Sequence, residues 1–95
     1  VALASDFNPG SSPTPNLAFA MTAACSRMGM SPHEALRAAT AGGATALRLD
    51  DGRGTLREGA PADLVLWRTS CAAEIPYRLA APVVEGVWKG GERVV

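Results

Sequence analysis

Asp6-Phe7-Asn8-Pro9-Gly10-Ser11-Ser12-Pro13 concentrates most of the chemistry this chain can offer. Asp6 is the only charged side chain between Val1 and Ser26, and every other charge lies from Arg27 onward. A carboxylate at the end of an apolar run can ligate a divalent metal, or take a proton from a water whose pKa that metal has lowered. Asn8 offers an amide donor and acceptor, Gly10 admits a ligand close to the backbone, and Ser11 adds a hydroxyl. The competing reading is local: Asp and Asn side chains bond their own backbone in Asx turns, and Gly only supplies freedom. The residue types alone leave both readings open.

Position is compatible with the chemical reading and does not decide between the two. Val1-Ala2-Leu3-Ala4-Ser5 is short, apolar and uncharged, as a strand buried on both faces would be. In parallel α/β folds functional groups collect at the carboxyl ends of strands, where Asp6 would stand. The prolines and glycine between Asn8 and Pro15 make a loop. Thr14 and Pro15 then suit the cap and first position of a helix. Leu17, Met21, Ala24, Cys25 and Met28 share one face of that helix, and Gly29 stops it. Ser31-Pro32-His33-Glu34 spells a capping box for a second helix carrying Leu36 and Ala39. Thr40 is the expected cap of a third, short helix through Ala44 and Leu47, weakened by Gly42 and Gly43.

Asp50-Asp51-Gly52 marks a boundary, so residues 1–49 and 50–95 are expected to be separate structural units. Strand signals follow at Thr55-Leu56, at Asp63 to Trp67, at Val84 to Lys89 and at Glu92 to Val95. Gly90-Gly91 joins the last two as a hairpin turn.

Composition excludes several classes of function. The 95 residues carry Lys+Arg 9 against Asp+Glu 9, with no basic run to hold nucleic acid. No apolar stretch approaches the ~20 residues of a membrane span, and a hydrophobic content of 47% opposes disorder. A soluble, cytoplasmic protein is expected. Cys25 and Cys71 have neither zinc-knuckle nor disulfide-framework spacing, and the sole histidine, His33, sits inside the capping box. His33 reads as a solvent-facing helix-start residue, Trp67 and Trp88 as packing, and Asp63 as a turn cap. The chain opens without Met in an apolar run, so a C-terminal portion of a longer polypeptide is expected.

Three segments carry a family resemblance. Leu3-Ala4-Ser5-Asp6-Phe7-Asn8-Pro9-Gly10-Ser11-Ser12-Pro13 resembles the last-barrel-strand motif of imidazolonepropionases, in the metal-dependent amidohydrolase superfamily. Gly54 to Val65 is similar to the β segment that follows the barrel in many amidohydrolases. Ile75-Pro76-Tyr77-Arg78-Leu79 resembles an imidazolonepropionase-type IPYR stretch.

The resemblance implies an α/β fold: the last strand and helices of a (β/α)8 barrel, plus strands of a small appended β-sandwich-like domain. A whole barrel takes ~250 residues, so a missing N-terminal barrel portion is the implied partner. The implied reaction hydrolyses 4-imidazolone-5-propanoate to N-formimidoyl-L-glutamate in histidine degradation. Asp6 would then be a metal ligand and proton carrier for one divalent or trivalent ion, zinc or iron. Asn8 and Gly10 would hold the propanoate end of the substrate, and Ser11 would lie near the ring. The implied enzyme needs no nucleic acid or membrane, and the resemblance leaves room for a homodimer. Gly42-Gly43 departs from relatives that carry helix formers there. Two alternatives remain: another amidohydrolase or deaminase, and a non-catalytic binding or structural module.

Overall fold

The computed structural model describes residues 1–5, 16–77 and 84–95. Helix α1, Leu17–Met28, starts where the Asn16 side chain accepts from the Ala18 N–H at 2.9 Å. The cap is therefore Asn16, and not the expected Thr14, which lies outside the described residues with Pro15. Asn and Thr both satisfy an unpaired N–H at a helix start, and the choice between them is made by where the chain turns. Gly29 ends α1 in a left-handed conformation, as expected. Ala18, Met21 and Ala24 are buried, whereas Met28 is 67% exposed. The last turn is exposed from Ser26 to Gly29, so it lies beyond the layer covering the rest of the stripe.

Helix α2, Pro32–Ala39, is set by the capping box. The Ser31 N–H donates to Glu34 Oε1 at 2.9 Å, and the Glu34 N–H donates to Ser31 Oγ at 3.2 Å. The Ser31 backbone N–H, and then its hydroxyl, hold the Glu34 carboxyl below its usual range. Since the folded-state pKa is the lower one, this contribution is complete above the ordinary carboxylate value and is lost as pH falls through the lowered value. Thermal unfolding on the acid side of neutrality is the check. Glu34→Gln, which keeps a hydrogen-bonding oxygen but does not titrate, is expected to flatten this part of the acid limb.

Helix α3, Ala41–Ala46, follows directly, but Thr40 makes no side-chain cap for it. The Thr40 hydroxyl donates to Leu36 O at 2.7 Å instead, back into α2. Leu47 is left 72% exposed. Gly42 has a packing reason: a Cβ there would collide with the Val1 carbonyl oxygen. Residues 1–5 do not form the expected buried strand. The Leu3 N–H donates to Ala38 O of α2 at 3.0 Å, and Val1 is 95% exposed. A strand needs a ladder partner on at least one side, and none of the described residues supplies one here.

The sheet is antiparallel with order β1-β2-β3, comprising β1 (Leu64–Trp67), β2 (Val84–Lys89) and β3 (Glu92–Arg93). Leu64 pairs with Trp88 and Val65 with Val87, and the register slips between Leu66 and Trp67. Gly90 and Gly91 both have positive φ, 59° and 84°, the combination a tight two-residue hairpin demands. Asp63 clamps this turn from the neighbouring strand: its Oδ1 accepts the Gly90 N–H at 2.8 Å, and Ala62 O accepts the Gly91 N–H at 2.9 Å. The Arg93 guanidinium lies 5.1 Å from the Trp88 ring centroid and donates to Glu85 O. β3 stops at Arg93, short of the expected Val95, although the Val94 N–H still donates to Val87 O.

Thr55-Leu56 is not a strand either. Thr55 closes a turn on Gly52 O through both its N–H and its hydroxyl, and Leu56 is 87% exposed.

Between β1 and β2 the chain forms α4, Glu74–Tyr77. Thr69 braces it by donating to Glu74 Oε2 at 2.8 Å. Ile75 and Pro76 are buried, and Ile75 joins Ala18, Met21 and Ala35 in the core. Leu3, Cys25, Leu36, Ala39 and Trp67 pack around that cluster. The result is a mixed α/β arrangement: a helical layer wedged by α4, with a small antiparallel sheet beside it. An apolar cavity of about 1020 Å³ separates the two, lined by Leu17, Met21, Leu36, Leu64, Trp67 and Val87 among others.

Candidate functional site

Asp6, Asn8, Gly10 and Ser11 lie outside the described residues, which flank them on both sides. On the entering side, Leu3 is tied by its N–H to α2 and packs against the core. On the leaving side, Asn16 caps α1, and Ala18 two residues on is 2% exposed. Both ends therefore rest on one apolar cluster.

The remaining polar residues take structural places. His33 is exposed on the first turn of α2, and it joins no cluster of metal-binding groups among the described residues. Asp63 holds the hairpin, as its reading as a turn cap anticipated. Trp67 packs on the core and Trp88 lies against Arg93. Cys25 and Cys71 are free thiols. No three His, Cys, Asp or Glu residues among the described ones come close enough to hold a metal ion. A catalytic metal takes three or more protein ligands, so the described residues do not fit one by themselves. Asp6 would be a single donor to a larger set. The large cavity is walled mostly by aliphatic side chains, and it can bury apolar surface but brings no nucleophile, acid and base together.

Two features escaped the sequence reading. Asn16 was legible, since Asn before an apolar run is as good a cap signal as Thr. The burial of Ile75-Pro76 was not, because a short apolar stretch holding a proline has no helical or strand period to betray what it covers.

A mixed α/β chain of helices and a small antiparallel sheet, led in by a segment with a lone carboxylate, matches the amidohydrolase family model over residues 1–95. The chain belongs to the amidohydrolase family, whose members generally use a metal ion. It is similar along its whole length to an imidazolonepropionase of Streptomyces griseus, 48% identical over 95 residues, which are 24% of that protein. The imidazolonepropionase of Haloarcula marismortui is 45% identical over 94 residues, covering 99% of this chain and 22% of its own length. That of Bacillus cytotoxicus is 44% identical over 91 residues, covering 96% of this chain and 22% of the relative. The chain thus spans about a quarter of the length of these curated relatives. No helix among the described residues is long and apolar enough to cross a membrane.

Proposed function

We propose that this sequence is the C-terminal quarter of an imidazolonepropionase, which hydrolyses 4-imidazolone-5-propanoate to N-formimidoyl-L-glutamate in histidine degradation. The observation that carries the reading is identity of 48% to a relative of that name, sustained over all 95 residues without a break in coverage. In this reading residues 1–49 are the last strand, loop and helices of a (β/α)8 barrel. Residues 50–95 belong to a small appended β domain. The exposed apolar side chains of Leu64, Val65 and Leu66 suit such a role, because they ask for cover that the described residues do not supply.

Asp6 is the one ligand this chain would give to a zinc or iron ion, and its carboxylate would hold the proton lost by water and return it to the departing ring nitrogen. The metal, when bound, supplies polarisation of the ring carbonyl. Asn8 and Gly10 would hold the propanoate carboxylate through amide and backbone donors, with Ser11 beside the ring. Location in the cytoplasm and assembly as a homodimer fit a soluble metabolic enzyme of this kind.

The test is turnover by the whole polypeptide that carries this sequence, followed by disappearance of the imidazolone and formation of N-formimidoyl-L-glutamate. The isolated 95-residue chain is expected to show neither turnover nor stoichiometric metal binding, since one carboxylate is not a site. Hydrolysis by the purified chain, with contamination excluded, overturns the division of the site between this chain and the rest. An inactive whole polypeptide overturns the substrate.

A further inference from the structure

Little joins the small sheet to the helices directly. Among the described residues no strand backbone packs against a helix, and from the sheet the Trp67 side chain alone reaches the core cluster. Residues 52–63 run along the rim of the intervening cavity and touch both sides of it. On the helical side Gly54 lies against the junction of α2 and α3. A Cβ there would stand 2.7 Å from the Thr40 carbonyl oxygen and 2.9 Å from Ala41 Cα. Its φ of +84° is a second bar to any other residue. On the sheet side Asp63 and Ala62 hold the N–H groups of Gly90 and Gly91. Between these ends the segment is folded on itself. The Thr55 N–H closes a turn onto Gly52 O and the Ala60 N–H closes one onto Arg57 O. Gly52 backs so closely on Ala60 that a Cβ would come within 2.9 Å of the Ala60 Cβ.

From this chain of contacts we propose that residues 52–63 are a strap that fixes the β2–β3 hairpin to the α2–α3 junction, with Gly54 as its seat. A compact segment seated at one end and hydrogen-bonded at the other passes a displacement along, where a slack one absorbs it. Gly54→Ala lifts the seat off Thr40, because the carbonyl it strikes is main chain and cannot swing aside as a side-chain tip does. Ala62 and Asp63 are then carried out of register with Gly91 and Gly90. Gly59 supplies the control. Its φ is +89°, so alanine is strained there too, yet nothing lies within 4 Å of where the Cβ would stand. Strain is common to both positions, and contact with the helices belongs to Gly54.

The experiment is hydrogen exchange in the whole polypeptide for wild type, Gly54→Ala, Gly59→Ala, Asp63→Ala and the Gly54→Ala, Asp63→Ala double variant. Gly54→Ala is expected to speed exchange of the Gly90 and Gly91 amides about tenfold, the worth of a hydrogen bond to a charged group, with α1 unchanged. Gly59→Ala is expected to act only in its own turn. Coupling is reciprocal, so Asp63→Ala is expected to speed exchange of the Thr55 and Ala60 amides. At the hairpin the double variant is expected to exceed the larger single effect by nothing, since one strap is released once. Unchanged hairpin exchange in Gly54→Ala overturns the strap, as do additive effects in the double variant. A rise extending uniformly through α1 overturns it too, because Gly54 is then a general stability residue. An equal hairpin response in Gly59→Ala assigns the effect to strain and removes Gly54 as the seat. Should Gly54→Ala fail to fold, Asp63→Ala decides alone: faster exchange at Thr55 and Ala60 upholds the strap, and a change confined to the hairpin overturns it.

Discussion

Replacing Asp6 by Ala in the whole polypeptide is expected to abolish hydrolysis of 4-imidazolone-5-propanoate and to lower metal content with it. A positioned general acid–base group alone contributes about 10²–10⁴-fold, and Asp6 is assigned both the proton and a place in the metal's ligand set. Asp6→Asn is the informative companion. Asn makes the same Asx turn as Asp, so a turn-forming Asp6 predicts near wild-type activity for it. A proton-carrying Asp6 predicts an inactive enzyme, because an amide neither takes up nor returns the proton. Retained activity in Asp6→Asn, measured together with metal content, decides for the turn and removes this chain from the chemistry. No other charged side chain stands between Val1 and Ser26 in the sequence.

Asn8→Ala is expected to act differently, lowering kcat/KM while leaving metal content alone. A hydrogen bond to a charged group is worth about 1.5–3 kcal/mol. With roughly 1.4 kcal/mol per factor of ten, the loss is about ten- to a hundredfold. The propanoate tail is remote from the ring carbon under attack, so its binding is alike in ground and transition states and the loss falls mainly on KM. An analogue lacking the carboxylate supplies the control, on which wild type and Asn8→Ala are expected to perform alike. A mutant still impaired on that analogue shows Asn8 holding its own segment, and the assignment of the tail to Asn8 fails.

Metal content and the KM–kcat split thus separate two residues that stand only two positions apart.

What the sequence determined by itself is what three or four consecutive residues settle among themselves. The Ser31–Glu34 box formed as read, because its donors and acceptors are local to one helical turn. Gly29 stopped α1 and Gly90-Gly91 turned the hairpin, because left-handed φ is a property of the residue rather than of its neighbours. The amidohydrolase family was also legible, carried by the motif around Asp6 and the Gly54 to Val65 segment. Tertiary structure decided the rest. Val1-Ser5 and Thr55-Leu56 have strand-like residues but no ladder partner among the described residues, and a strand exists only in a pair. Met28 has the right spacing for the buried stripe, yet the layer that covers Met21 and Ala24 does not reach it. Asp63 was read as a turn cap, but the turn it caps lies 27 residues away in the chain. Ile75 and Pro76 fill the space between two helices that precede them by dozens of residues, a contact no local period encodes. Hydrogen bonds within a turn are dictated by spacing along the chain, whereas burial is dictated by what the folded chain brings opposite, and only the packed structure holds that information.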